Sequence, residues 1–181
     1  MVVAEEKRKN NIVEYILYLW QIEDLIRAYN FDMEKIDSEL VSQYHADEEL
    51  RTRIFNWYKN LVVMMQKEQI QKAGHLQFLI NLTNELDQFH QLVIKKSINA
   101  EYQKLYSDIA LDIDYIRQKS GLNHNDIEIV LNALYMILML KMKNQELSDG
   151  TQVAIWKFGN FLNHLSMLFK EWETGELETE E

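Results

Sequence analysis

A chain of 181 residues with no proline, and with glycine only at positions 74, 121, 150, 159 and 175, has few ways to fold. A chain of this length would ordinarily carry roughly nine prolines and a dozen glycines. All-β and Rossmann-type folds need many tight turns with positive φ, which glycine supplies most cheaply, and this chain has too few glycines for them. The composition is that of helices, and 181 residues are enough to bury one continuous core. The expectation is an all-α chain: a single up-and-down bundle of six or seven helices over residues 1–170, followed by an acidic tail at 171–181.

Apolar periodicity read against capping residues places the helices. The first spans about 4–29, a short second about 33–44 from a cap at Asp32, and a third about 47–69. The fourth opens near Gly74 and carries Leu76, Leu79, Thr83, Leu86, His90 and Val93 as one core-facing stripe. The fifth, about 99–119, starts at Asn99, faces Tyr102, Leu105, Ile109, Ile113 and Ile116 inward, and stops at Gly121. The sixth, about 124–145, is apolar nearly all round and is expected at the centre, covered by neighbours. The seventh starts near Ser148 with Ile155, Phe158, Leu162, Leu165, Phe169 and Trp172 on one seam. Gly159 interrupts it, which suggests a close helix contact there. Methionines 64, 65, 136, 139, 142 and 167 read as adaptable core filler.

Several classes of function are disfavoured at once. With no cysteine there is no disulfide framework, thiol nucleophile or zinc-thiolate site, and a reducing cytoplasm is the expected compartment. The opening "MVVAEEKRKNN" has charges where a signal peptide needs an apolar core, and no apolar run is long enough to span a bilayer, so no membrane role is expected. The net charge of −10 disfavours nucleic acid. Six acids lie in "EWETGELETEE" at 171–181, which leaves 23 acids against 19 bases over the first 170 residues. Residues 116–134 have the outline of a helix-turn-helix through Gly121 and Leu122. The would-be recognition helix, however, begins with Asp126 and Glu128 and then turns apolar, leaving nothing to approach phosphates. No nucleophile elbow, Walker loop, dinucleotide fingerprint or His-Glu-x-x-His occurs.

Three polar groups stand out. In "IVEYILYLWQIEDLIRAYN" the face around Trp20 turns from apolar to ionic, carrying Glu23, Asp24 and Arg27. Arg27 can reach Glu23 at i+4 or Asp24 at i+3. Buried, the trio leaves a formal −1 and needs a further donor, for which His75, Arg51 and Arg53 are candidates. The trio with His75 is therefore either an internal latch or a ligand site. Asp87 and His90 share a helical face at i, i+3, as metal ligands on bundle helices do, and His164 would be needed to complete a mononuclear site; a satisfied core histidine is the competing reading. Glu128, Asn132 and Tyr135 draw a polar line along the sixth helix, either a register-fixing network or its least covered edge.

"IVEYILYLWQIEDLIRAYN", "GHLQ" and "LNALYMILMLKM", in this order, resemble an uncharacterised all-helical family from Bacteroidetes, a domain of unknown function. The resemblance implies a stand-alone bacterial cytoplasmic protein and carries no catalytic residues with it. The expected function is a non-catalytic binding or scaffolding bundle without a cofactor. A homodimer is among its expected arrangements, because two helices apolar nearly all round hold more apolar surface than one bundle hides. The alternative is a small-molecule-binding or metal-dependent bundle enzyme built on one of the polar groups.

Overall fold

The computed structural model describes residues 2–121 and 123–177; Leu122 of the helix-turn-helix outline and residues 178–181 of the acidic tail lie outside the described residues. Among the described residues the chain is all-α, 78% helical and without strands, and it has nine helices where six or seven were expected. They are α1 (Val2–Asn10), α2 (Ile12–Ala28), α3 (Met33–Lys35), α4 (Glu48–Lys67), α5 (Gln77–Lys95), α6 (Ala100–Ser107), α7 (Ala110–Ser120), α8 (Asp126–Met142) and α9 (Asp149–Glu173).

The extra helices come from two interruptions that periodicity does not reveal. The first expected helix breaks at Asn11, because the amide of Ile12 leaves the helical ladder and donates to Ser166 Oγ at 3.1 Å. The fifth breaks at Asp108–Ile109. There the Ile109 amide closes a tight turn on the Tyr106 carbonyl (3.0 Å), Ile109 itself is fully buried, and Lys157 Nζ donates to the Asp108 carbonyl at 3.3 Å. The short second helix keeps its Asp32 cap but widens after α3 into a π-turn over Ile36–Leu40. In an α-helix residues five apart diverge by about 140°; the wider turn brings Ile36 and Val41, both 0% exposed, towards one face.

The contacts gather into two compact units. The first comprises Met1–Lys9 and Glu14–Ile80, and its core includes Ile16, Ile26, Ile36, Tyr58, Met65 and Leu76. The second comprises Asn10–Val13 and Asn81–Glu181, and its core is aromatic: Phe89, Tyr102, Phe158, Phe161 and Phe169 are all at most 3% exposed. Every member of the α5 stripe, Leu76 through Val93, is buried. Asn99 caps α6 by accepting from the Tyr102 amide, and Gly121 ends α7 in the left-handed conformation at φ 64°.

Two expectations about packing fail. α8 is buried only at Ile127, Ile129, Val130 and Leu131; from Asn132 onward none of its side chains is buried, so its second half is not the covered centre of a bundle. The methionines divide accordingly. Met65 is core, whereas Met136 (66% exposed), Met142 (63%) and Met167 (47%) are on the surface. Gly159 does not mark a close approach either, since a Cβ built there meets nothing within 4 Å. Gly159→Ala should therefore stabilise the protein by up to about 1 kcal/mol through helix propensity and a less free unfolded chain. Urea denaturation checks this, and a lower midpoint would mean that the position is sterically closed.

Candidate functional site

The ionic face of α2 ends in the first unit as a clasp on the start of α5. Glu23 is 1% exposed. Its Oε1 accepts from the Leu76 amide at 2.8 Å, and its Oε2 lies 2.6 Å from His75 Nδ1. Glu68 accepts from the next amide, that of Gln77, at 2.7 Å. A helix leaves its first amides without intrahelical partners and carries positive potential at that end, so two carboxylates there satisfy donors and dipole together. Trp20 stacks on the His75 ring (4.2 Å between centroids, 16° between planes) and fixes its orientation.

Arg27 does not pair with Glu23. Its Nη1 donates to Asp24 at 2.8 Å, while Nε and Nη2 donate to the Ile70 carbonyl at 3.3 and 3.2 Å, and Nη2 also reaches the Gly74 carbonyl. The guanidinium thus ties down the backbone between α4 and α5. Of the other candidate partners, Arg51 pairs with Asp37 at 3.1 Å and Arg53 lines a pocket with Glu5 and Trp57. The structure brings Glu23 and His75 together and places Asp24 with Arg27 at i, i+3, with both oxygens of Glu23 engaged.

The second cluster surrounds His90, 1% exposed in the second unit. The rings of Tyr106, Phe161 and Tyr102 pack around it at 4.7, 5.6 and 5.7 Å between centroids. The Tyr102 hydroxyl lies 2.8 Å from His90 Nδ1 and can donate to it when Nε2 carries the proton. Asp126, the first residue of α8, accepts from Tyr106 at 2.6 Å and from Arg117, and His90 Nε2 lies 3.9 Å from its Oδ2. His90, Tyr106 and Arg117 together hold the Asp126 carboxyl down to about 2 against the opposing effect of burial. His90 acts across a 3.9 Å polar contact, whereas Tyr106 and Arg117 donate to the carboxylate directly. Burial pushes Asp87 the other way, above the usual carboxylate range; it accepts from the Ile127 amide, while its Oδ1 is buried without a hydrogen-bond partner. Burial likewise raises the Tyr102 and Tyr106 phenols.

Asp126 has a folded pKa below its unfolded one, so its contribution to stability is whole above pH 4 or so and is lost as the pH falls towards 2. From 3.8 to about 2, that is a loss of about 2 kcal/mol. Asp126→Asn should be less stable at neutral pH by a similar amount and should lack this part of the acid-induced loss. Urea midpoints measured from pH 7 down to pH 2 read both; parallel pH profiles for variant and parent would contradict the assignment.

Asp87 and His90 are neighbours, but His164 does not join them. Its ring lies 6.1 Å from that of Tyr102, and its Nε2 is buried without a hydrogen-bond partner. Among the described residues no three His, Asp or Glu side chains converge so as to hold a metal ion. Of the polar line on α8, Glu128 pairs with His124 at 2.7 Å and Asn132 donates back to the Glu128 carbonyl at 2.9 Å, both within the α8 end of the chain; Tyr135 is half-buried. Asn132 also edges a groove of about 430 Å³ beside α8. Ile116 of α7 and Ile129, Ala133, Met136, Ile137 and Leu140 of α8 make it apolar, with Ser120, His124 and Asn132 as its polar groups.

The sequence did not point to Glu68, Tyr102, Tyr106, Arg117 or Asp126 as partners in these clusters. Tyr102 lies on a core-facing stripe and Asp126 beside a cap, and neither position signals a polar contact with a helix 12 to 36 residues away. A profile of the family described as "Domain of unknown function (DUF4924)" matches residues 1–176. No curated protein and no solved structure matches the chain.

Proposed function

We propose that this chain, which belongs to the family described as Domain of unknown function (DUF4924), is a non-catalytic helical-bundle protein that works by binding or scaffolding through the apolar side of α8. A bacterial, Bacteroidetes-type cytoplasmic setting is part of the same proposal. The observation that carries it is the half-exposed, largely apolar run Asn132–Met142, which walls the α7–α8 groove. Exposed apolar surface of this kind marks interaction sites, and methionines such as Met136 and Met139 adapt to varied partners. No helix among the described residues is long and apolar enough to cross a membrane, so the run is not read as a span.

A second reading, a small-molecule or metal-dependent bundle enzyme, draws on the opposite shifts of Asp87 and Asp126 beside His90, because carboxylates driven apart in this way can divide acid and base roles. Against it, His90 and Tyr102 are at most 1% exposed, which gives a substrate no face to approach. The Glu23 clasp has its carboxylate fully engaged and supports scaffolding in the same way.

A fluorescent apolar dye tests the leading reading. At low protein concentration the folded chain should bind the dye. Ala133→Glu, which places a charge in the groove, should weaken that binding at least about tenfold, while Asp24→Asn, which alters no groove-lining residue, leaves it unchanged. Equal dye binding by all three proteins would contradict the proposal.

A further inference from the structure

The α8–α9 hairpin is anomalous. From Asn132 to Lys157 no side chain is buried, although the stretch contains "LYMILML" and then Val153, Ile155 and Trp156. Both arms project large apolar groups: Met136 is 66% exposed, Met142 63%, Val153 54% and Trp156 68%. Met136 and Met142 are six residues apart, which on an α-helix places them about 120° from each other. One ligand lying in the groove beside α8 covers Met136 and leaves Met142 in water. Covering both requires helices on two sides of α8.

We infer that the occupant is a second copy of this chain, the two α8–α9 hairpins packing against each other about a two-fold axis. This inference rests on the reading that α8 is the working surface, and it names the partner. Three observations support a copy over a foreign chain. The first is charge. The chain carries −10, and an acidic face would repel its own copy; the hairpin instead carries Lys141, Lys143 and Lys157 against Glu146 and Asp149, a net of +1, and so escapes the repulsion the rest of the surface would impose.

The second is pattern. Lys141 and Lys143 end α8, while Glu146 and Asp149 lie at and after the turn, so the turn end of the hairpin carries both signs, and two turn ends meeting about a two-fold axis can set bases of one copy against acids of the other. The third is area. With about 150–250 Å² for a fully exposed large side chain, the four exposed groups and their half-exposed neighbours on α8 leave on the order of 700 Å² per copy. That is close to the roughly 800 Å² per partner of a stable interface and above the few hundred Å² that a monomer ordinarily tolerates. Two helical hairpins meeting this way form a four-helix arrangement, which buries α8 from both sides.

Sedimentation velocity over a range of concentrations tests this on the full chain, together with Met136→Glu, Trp156→Glu and, as a control outside the hairpin, Val63→Glu (39% exposed). The parent should sediment at about twice the 21.7 kDa chain mass. Each hairpin variant should raise the dissociation constant at least about tenfold, the effect of forcing a carboxylate against apolar surface. Val63→Glu should leave it unchanged, and circular dichroism should show all three variants folded. A parent that stays at the mass of one chain, or a dimer indifferent to both hairpin substitutions, would overturn the inference. The two tests fail separately: a monomer that binds the apolar dye at its groove removes the second copy and keeps the binding reading, whereas loss of groove-dependent dye binding removes the reading itself.

Discussion

Replacing Glu23 with alanine should cost about 3–5 kcal/mol of folding stability, the range for removing a buried carboxylate that two donors depend on. The carboxylate is 1% exposed and accepts two bonds, from the Leu76 amide and from His75. Its loss leaves the Leu76 amide without its acceptor, His75 Nδ1 without its partner and a cavity beside Trp20. Each stranded buried group adds about 1–3 kcal/mol, moderated at His75 because that side chain is 30% exposed. Against a total stability of about 5–15 kcal/mol the change is severe.

Two neighbours calibrate the prediction. Glu23→Gln keeps one oxygen for the Leu76 amide and the volume of the side chain but turns an amide NH2 towards His75, so it should cost less than Glu23→Ala. Asp24→Ala removes a carboxylate that is 40% exposed and should cost below about 1 kcal/mol. Equilibrium urea denaturation ranks the three. If Glu23→Ala cost no more than Asp24→Ala, the clasp would contribute nothing to folding.

Phe161→Ala should be comparably damaging, at about 3–5 kcal/mol, because it empties the aromatic cage around His90. Phe161 is fully buried and stacks on Tyr102 at 5.1 Å with 22° between the planes; it also meets His90 edge-on at 5.6 Å and Tyr106 at 6.0 Å. The ring fixes the walls against which the Tyr102–His90–Asp126 chain is aligned, so its loss should also blunt the acid dependence assigned to Asp126. Thermal and urea unfolding at pH 7 and pH 3 measure both effects. A loss below about 1 kcal/mol would mean that the cage collapses without strain and that the polar chain does not depend on it.

What could be read from the sequence depends on the range of the cause. The α5 stripe from Leu76 to Val93 and the α9 seam from Ile155 to Trp172 emerge from spacing; the structure buries the whole stripe and Phe158, Leu162, Leu165 and Phe169 of the seam, and leaves Ile155 and Trp172 at its ends half-buried. The caps at Asp32, Asn99 and Gly121 are local chemistry and could be read as well. The break at Asn11 could not, because its cause is the Ser166 hydroxyl, 154 residues away. Nor could the break at Asp108, whose freed carbonyl is taken by Lys157.

The same limit governs the sites. Spacing alone put Glu23 on the apolar stripe of α2, and His75 was among its candidate partners; the role of the Leu76 amide and the stacking of Trp20 required the loop path between α4 and α5. Arg27 was legible only in part. Spacing offered Glu23 at i+4 or Asp24 at i+3, and the structure takes the second; the carbonyls of Ile70 and Gly74, which complete its bonding, are fixed acceptors that helical spacing does not register. The exposure of α8 was misread for a related reason. Hydrophobicity reports what a helix would prefer to contact, and that preference is met by whatever covers it, within one chain or between chains.

Amide hydrogen exchange at Leu76 tests the central claim most directly, that Glu23 closes the start of α5 as an internal latch and is not held open for a ligand. With Glu23 accepting at 2.8 Å, this amide at the cap position of α5 should exchange only when the first unit unfolds, as slowly as the amides of the α5 interior, and Glu23→Ala should speed its exchange by orders of magnitude. Exchange in the parent protein as fast as an open helix terminus, unchanged by the substitution, would contradict the account.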